Sequence, residues 1–193
     1  MKQIGLFFGT FNPIHIGHLA IANHIAEFSE LDEVWFVVTP RSPFKQKASL
    51  LSDRQRYDMV FQATKEYDKL RPSDIEFGLK QPNYTVDTLA YIQEKHPDYQ
   101  FALIMGEDNL KSFHKWKNYE VIIDNHQLFV YPRISESKID NQFIDHSKII
   151  HIDAPIMEIS STFIRKAIKE GKNIRPLLPA SVWQYVDEMN FYK

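Results

Sequence analysis

The chain contains no cysteine. This absence excludes disulfide bonds, thiolate nucleophiles and zinc sites with cysteine ligands, and it is compatible with a reducing compartment. Charge of one sign is not in excess either, because 23 Lys and Arg against 25 Asp and Glu give a formal net charge of −2. Without a basic surface to drive counterion release, we expect no nucleic-acid partner. Any phosphate group must therefore be bound by local geometry.

Long apolar runs are also missing. The first residues, MKQIGLFFGTFNP, hold one lysine and a short apolar stretch that ends at Gly9, which is too short for a signal peptide. No stretch approaches the roughly 20 apolar residues that a membrane span needs. We therefore expect a soluble, cytoplasmic protein with no membrane partner. With 193 residues, 44% of them hydrophobic, the chain can bury a full core, and residues 1–193 are predicted to form one domain.

Short apolar runs alternate with longer amphipathic ones along the chain. Runs rich in branched and aromatic residues predict strands at 4–8, 33–38, 101–105, 127–131 and 148–152, with a weaker candidate at 74–77. Helical spacing is found at 17–29, 53–66, 85–96, 117–124, 162–170 and 180–189. The alternation predicts an α/β fold, a single-domain Rossmann-like doubly wound and mostly parallel sheet. In such sheets ligands bind beyond the carboxyl ends of the strands.

Capping residues and loops support this organisation. Ser52 and Gln55 form a capping-box pattern, Ser160 or Ser161 can cap the fifth helix, and Gly171 stands where a helix often ends in glycine. Polar segments at 39–51 and 133–147 are predicted loops. The first of them is basic, and it is either a mobile lid or a solvated connection.

The stretch GTFNPIHIGHL, residues 9–19, joins the first predicted strand to the first predicted helix. Gly9 allows a close backbone approach to a ligand, where Thr10 and Phe11 offer main-chain N–H groups. His15 and His18 are three residues apart and would share one face of the helix N-terminus, where the helix dipole favours anions. Gly17 lies between them and would leave room for a phosphate.

Three interpretations of the two histidines compete. They are satisfied turn residues, metal ligands, or donors to the phosphate oxygens of a nucleotide. The metal interpretation needs a third ligand, but the sequence has neither an HExxH glutamate nor a nearby carboxylate at ligand spacing. The nucleotide interpretation explains the turn, the glycines and the histidines together, and we prefer it.

The motifs resemble those of a known enzyme family. HIGH (15–18) is the signature of the superfamily of class I aminoacyl-tRNA synthetases and nucleotidyltransferases, but the chain is too short for a synthetase and lacks a KMSKS-type loop. ISSTFIR (159–165) is close to the second signature of the small adenylyltransferases. PNYT (82–85), MGEDNLKSFHKW (105–116) and LLPASVWQYV (177–186) follow in the family's order. Over nearly its whole length, the chain resembles the bacterial nicotinate mononucleotide adenylyltransferases.

The resemblance implies a reaction of ATP with nicotinate mononucleotide that gives deamido-NAD and pyrophosphate. The attacking phosphate is already ionised near neutral pH, since its second pKa is about 6, so no general base is required. Mg²⁺ is expected to enter with ATP and to stay mostly hydrated, so no metal site on the protein is expected. Catalysis then depends on positioning and on charge neutralisation.

The resemblance also implies which residues act. The expected catalytic residues are His15, His18 and Arg165. The expected ATP-binding residues are Gly9, Thr10, Phe11, Gly17, Arg133, Ser160, Ser161 and Thr162. For ISSTFIR the plain alternative is a capped helix with a surface arginine.

The second substrate is expected to be bound by Lys45, Tyr84, Thr85, Gly106, Asp108, Trp116 and Lys117. Free N–H groups at Thr85 suit the nicotinate carboxylate, and Trp116 is expected to stack on the cationic pyridinium ring. A carboxylate at Asp108 suits ribose hydroxyls. The plain alternatives are a capped helix start, core packing of the tryptophan, an exposed loop aspartate and a solvated Lys45. Asn12 and Lys117 depart from the family's usual aspartate and tyrosine.

Two kinds of rival function remain open. A related adenylyltransferase could prefer nicotinamide mononucleotide or another small phosphate. A non-catalytic nucleotide sensor of the same fold would bind ATP without turnover, although it would have no need of transition-state donors. The sequence also leaves a homo-oligomer open.

Overall fold

The computed structural model of the chain describes residues 1–40, 50–134, 143 and 145–193. In these ranges six strands form one sheet in the order β3-β2-β1-β4-β5-β6, and every neighbouring pair is parallel. The strands are β1 Lys2–Gly9, β2 Glu33–Val38, β3 Leu70–Ser73, β4 Tyr99–Gly106, β5 Leu128–Tyr131 and β6 Ile149–His151. The strand order reverses between β1 and β4, and a crevice for ligands opens at the carboxyl end of this switch point.

Helices cover both faces of the sheet. They are α1 Ile16–Phe28, α2 Asp53–Thr64, α3 Thr85–Lys95, α4 Glu107–Lys111, α5 Tyr119–Asn125, α6 Ser161–Lys169 and α7 Ala180–Glu188, with short 3₁₀ turns at Phe113–Lys115 and Arg175–Leu177. Along β4, Ala102 and Ile104 pack into a core with α1, α2, α6 and α7, whereas Leu103 and Met105 pack into a second core with α3, α4 and α5. This alternation has the period of two that a strand buried on both faces requires.

The predicted Rossmann-like fold is confirmed, and so are most of its elements. The predicted strand 33–38 has the same bounds as β2, and the six predicted helices differ from the observed ones by one or two residues at their ends. The Ser52 capping box is present, since Ser52 Oγ accepts from the Gln55 N–H at 3.3 Å and Gln55 Oε1 accepts from the Ser52 N–H at 3.1 Å. Gly171 has a φ of +67°, as expected after α6.

The predicted strand at 74–77 is wrong. Residues 74–77 form a turn in which the Phe77 N–H bonds to the Asp74 carbonyl at 2.9 Å, and the strand lies earlier, at β3. Pro72 interrupts the residue pattern of β3, so the sequence does not predict this strand. A proline is tolerated there because β3 is an edge strand, where one side needs no hydrogen-bond donor.

The two predicted polar loops are only partly described. Residues 41–49 of the first and 135–142 and 144 of the second lie outside the described residues, and the expected substrate residue Lys45 lies among them. No helix in the described part of the chain has the length and apolar character needed to cross a membrane.

Candidate active site

The turn between β1 and α1 is built around Phe11. Its φ of +44° is in the left-handed region, and its ring turns back over Gly9. A Cβ atom at Gly9 would lie 2.8 Å from Phe11 Cζ, so the missing side chain makes room for this ring. The Phe11 ring in turn packs edge-on against Phe7 at 5.9 Å and His18 at 5.2 Å between centroids. The turn is thus anchored in the core at the carboxyl end of β1.

The two histidines lie against each other. Their rings stack with centroids 3.6 Å apart and planes at 22°. The His15 N–H donates to His18 Nδ1 at 3.3 Å, so the neutral His18 ring carries its proton on Nε2. His15 Nδ1 is buried and has no hydrogen-bond partner among the described residues. A Cβ atom at Gly17 would lie 3.1 Å from this nitrogen, so Gly17 makes room for the His15 ring.

Both imidazoles are neutral at physiological pH. Burial, together with the charge of Arg133, lowers the pKa of His15 to about 3. Burial lowers the pKa of His18 well below its usual value, and the neighbouring His15 and Arg133 act in the same direction. A neutral imidazole donates one N–H hydrogen bond without carrying charge. The site therefore offers oriented donors from the histidines and positive charge from arginines.

The first turn of α6 packs directly on the β1–α1 turn. Ser160 Oγ caps α6 by accepting from the Phe163 N–H at 3.2 Å, as expected. Ser161 Oγ donates to the Pro13 carbonyl at 2.8 Å. Arg165 Nη1 donates to the Asn12 carbonyl at 2.7 Å, and its Nη2 donates to Thr162 Oγ1 at 3.2 Å. The structure thus brings the two sequence motifs together, although they lie about 150 residues apart in the chain.

Two residues that the sequence did not single out hold the same turn. The fully buried Arg56 donates to the carbonyls of Thr10 at 2.7 Å and Thr39 at 2.9 Å, and it pairs with Asp53. Tyr192 donates its hydroxyl to Asn12 Oδ1 at 2.7 Å. Neither has a sequence signal, because an arginine on an amphipathic helix and a tyrosine near a chain end are ordinarily exposed or loosely packed.

The ends of β4 and β5 bring Gly106, Asp108 and Arg133 together. A Cβ atom at Gly106 would displace the flexible Asp108 carboxylate and lie 3.2 Å from Arg133 Cγ, so the missing side chain lets these two residues lie close to the end of β4. Arg133 Nε lies 3.9 Å from Asp108 Oδ1, and Arg133 Nη2 donates to the Tyr131 hydroxyl at 3.4 Å. Arg133 is close enough to both histidines to lower their pKa values, so it lies on the histidine side of the site.

A cavity of about 1080 Å³ opens beside the histidine turn. Six of the expected site residues line it: Gly9, Thr10, Tyr84, Thr85, Trp116 and Lys117. The histidines, Gly106, Asp108, Arg133 and the α6 residues are not among its lining residues. The expected residues therefore fall into two neighbouring groups, which share the backbone of Gly9 and Thr10.

The cavity wall has the features expected for a small aromatic acid. Helix α3 begins at Thr85, and the geometry of a helix leaves the N–H groups of its first residues without intrahelical acceptors. Trp116 is half-buried and packs edge-on against Phe113 at 5.4 Å, so part of its surface faces the cavity. Lys117 Nζ bonds both carboxylate oxygens of Asp87, at 3.0 and 2.8 Å, and so connects the Trp116 loop to α3.

No group of three or more His, Asp or Glu side chains suited to a metal ion occurs in the described ranges. A cation that enters with a triphosphate fits this arrangement, because Mg²⁺ keeps most of its water and takes phosphate oxygens as ligands.

Known proteins are similar to the chain in both sequence and fold. Residues 6–167 match the model of the cytidylyltransferase-like family. A Flavobacterium psychrophilum protein named "Probable nicotinate-nucleotide adenylyltransferase" is 66% identical over 191 residues, 99% of each chain. A protein of the same name from Christiangramia forsetii is 65% identical over 192 residues, 100% of this chain and 99% of its own. In structure, the Plasmodium falciparum nicotinic acid mononucleotide adenylyltransferase complexed with NaAD aligns with a TM-score of 0.80 at 22% identity, covering 100% of this chain and 98% of its own, which shows a common fold.

Proposed function

The chain belongs to the cytidylyltransferase-like family, and from this premise we propose that it is a nicotinate-nucleotide adenylyltransferase of NAD biosynthesis. It transfers the adenylyl group of ATP to nicotinate mononucleotide, which gives deamido-NAD and pyrophosphate. The observation that carries the proposal is the contact between the two motifs. Arg165 and Ser161 donate hydrogen bonds to main-chain carbonyls of the turn that leads into the two histidines. Relatives up to 66% identical over nearly the whole chain bear the same name.

The chemistry requires little of the protein beyond positioning. An oxygen of the mononucleotide phosphate forms a bond to the α-phosphorus of ATP, and the bond from that phosphorus to the bridging oxygen of pyrophosphate breaks. The attacking phosphate is ionised at neutral pH, so no side chain has to remove a proton. Charge grows on the leaving pyrophosphate, and preorganised donors aimed at it lower the barrier.

The histidine turn and α6 supply these donors. His18, protonated on Nε2, donates to the leaving side, and His15 donates to the triphosphate from the adjacent ring. Arg165 and Arg133 contribute positive charge, and Ser160, Ser161 and Thr162 present the anion-binding first turn of α6. Gly9, Thr10, Phe11 and Gly17 form the backbone of the cradle. A Mg²⁺ ion bound to the ATP phosphates would neutralise part of their charge.

The cavity binds the second nucleotide. The first N–H groups of α3 at Thr85 bind the nicotinate carboxylate, and Trp116 stacks on the pyridinium ring, where a cation–π interaction contributes about 0.5–2 kcal/mol. Tyr84 and Lys117 complete this wall, while Gly106 and Asp108 lie where the ribose hydroxyls pass. We also propose that Lys45, which lies outside the described residues, binds the phosphate. We further propose that residues 1–193 form one cytoplasmic domain. This domain acts alone or as a homo-oligomer, and it binds no nucleic acid.

A pyrophosphate-release assay separates this function from its rivals. The protein is given Mg-ATP with nicotinate mononucleotide, then with nicotinamide mononucleotide, and then with phosphopantetheine. We expect turnover with the acid to exceed turnover with the amide and none with phosphopantetheine. Turnover that favours the amide would identify the related adenylyltransferase. ATP binding without turnover on any acceptor would identify the nucleotide sensor.

A further inference from the structure

Glu76 is a buried carboxylate on the wall of the cavity, and the proposed reaction does not use it. The residue is 1% exposed. Its Oε1 accepts from Thr88 Oγ1 at 2.6 Å, and its main-chain carbonyl accepts from Asn83 Nδ2 at 3.2 Å. Its Oε2 has no hydrogen-bond partner among the described residues. The side chain is therefore held by the Thr88 hydroxyl on one carboxylate oxygen, while the other oxygen has only the nearby Thr39 hydroxyl and no hydrogen bond of standard geometry.

The surroundings of Glu76 provide no compensating cation. No salt bridge reaches Glu76 within the described part of the chain, and it is the one acidic residue among the described residues that line the cavity. Lys115 and Lys117 also line the cavity, but both are exposed, and Lys117 is already paired with Asp87. Burial raises the pKa of Glu76, and the hydroxyls of Thr88 and Thr39 oppose that shift by favouring the anion. A buried carboxylate of this kind is costly without a counter-charge.

We propose that Glu76 is the counter-charge for the cationic pyridinium ring of the mononucleotide and so selects ribosylated pyridines over neutral rings. The inference rests on the proposed function. A pyridine nitrogen bonded to ribose carries a positive charge, whereas the carboxylate and the phosphate of the same molecule are anions. The first turn of α3 suits the carboxylate, and Glu76, nine residues before Thr85 on the same cavity wall, suits the ring. A charge in a water-excluded wall acts over several ångströms, so direct contact is not required.

The test measures binding by calorimetry for the wild-type protein and for Glu76→Gln, which keeps the shape of the side chain and the Thr88 contact. One ligand is nicotinate mononucleotide, and the other is its 3-carboxyphenyl C-riboside 5′-phosphate analogue, in which carbon replaces the ring nitrogen and the positive charge is absent. We expect Glu76→Gln to weaken binding of the charged ligand about tenfold or more and to leave the neutral analogue within about twofold. Asp74→Asn, an exposed acid two residues away, is the matched control and should change neither.

Two outcomes overturn the inference. Equal losses for both ligands would make Glu76 a structural residue, and an unchanged affinity for nicotinate mononucleotide would give it no role in binding. Wild-type turnover is measured in parallel. If the wild-type protein neither binds nor adenylylates nicotinate mononucleotide, the proposed function and the inference fail together; if it does both, the Glu76→Gln result concerns the inference alone.

A second variant keeps the inference testable if Glu76→Gln does not fold. Trp116→Leu removes the cation–π interaction but retains Glu76. This variant should still bind the charged ligand several times more tightly than the neutral analogue, because the carboxylate remains. Equal affinity of Trp116→Leu for the two ligands would show that Trp116 alone distinguishes the charged ring from the neutral one. This result would overturn the proposal.

Discussion

Arg165 Nη1 donates a hydrogen bond of 2.7 Å to the main-chain carbonyl of Asn12, across 153 positions of sequence. The bond joins the first turn of α6 to the turn that carries His15 and His18. Ser161 adds a second bond, to the Pro13 carbonyl. A guanidinium can bind this carbonyl with one nitrogen and still present others to a phosphate, because its donors form a planar fork. Arg165 is thus both a structural link and a candidate phosphate ligand.

Replacing Arg165 by lysine should show whether its two roles depend on the planar guanidinium or on positive charge alone. Lysine keeps the positive charge but cannot bind the Asn12 carbonyl and a phosphate with a planar fork. We expect kcat/KM for ATP to fall about tenfold or more, with KM for the mononucleotide within about twofold of the wild-type value. Steady-state kinetics with each substrate varied in turn provide the measurement. Lys166→Arg, on the exposed neighbouring residue, should behave as the wild type; full activity of Arg165→Lys would remove the bidentate role.

His18→Ala should lower kcat by at least about 10²-fold, because one preorganised donor to the developing charge is lost. The fold should persist, and circular dichroism checks this. His24→Ala is the matched control on the same helix, since His24 stacks on Phe28 away from the turn. Single-turnover measurements show whether the chemical step is the one affected. An unchanged rate in His18→Ala would exclude the residue from the mechanism.

The buried neutral histidines should make the protein less stable in acid. The pKa of His15 is about 3 in the folded protein and near its ordinary 6.5 when unfolded, so the unfolded chain binds more protons between these values. Stability should therefore be constant above about pH 6.5 and fall as the pH drops below it, by up to about 1.4 kcal/mol per pH unit for each such histidine. Urea unfolding across this range measures the slope. The free energy of unfolding of His15→Gln should depend less steeply on pH than that of the wild type. The same pH dependence in both proteins would contradict the low pKa of His15 in the folded state.

Arg56→Met should destabilise the protein by about 3–5 kcal/mol, because the buried carbonyls of Thr10 and Thr39 lose their donor. Denaturant unfolding provides the measurement. Arg54→Met is the matched control, because Arg54 lies two residues earlier in the same first turn of α2 but its side chain is 72% exposed. We expect the control to stay within about 0.5 kcal/mol of the wild type. A similar loss in both variants would show that the helix, and not the buried contacts, is responsible.

The periodic elements could be predicted from sequence because each of them buries a repeating apolar pattern. Strand β2 and the helices with caps, such as α2 behind Ser52, are of this kind. The sequence does not predict strand β3, because Pro72 interrupts its apolar pattern. Residues 74–77 have the residue pattern of a strand but form a turn. The motifs around His15 and Arg165 could be predicted because HIGH and ISSTFIR resemble two signatures of a known family.

The supporting contacts could not be predicted in the same way. Tyr192 reaches Asn12 and Arg56 reaches Thr10 only through tertiary packing, and nothing in the neighbouring residues indicates those partners. Asn12 Oδ1 accepts a hydrogen bond from the neutral Tyr192 hydroxyl. The role of Glu76 likewise emerges only when α3, its own turn and the cavity are seen together.

The position of a bound triphosphate is the most direct test of the site. A crystal structure with a non-hydrolysable ATP analogue should place phosphate oxygens within about 2.7–3.2 Å of side-chain nitrogens of His15 or His18 and of Arg165. The adenylyl phosphorus should then face the cavity lined by Thr85 and Trp116. A triphosphate bound away from the stacked histidines, with the cavity turned toward another group, would contradict the proposed reaction geometry.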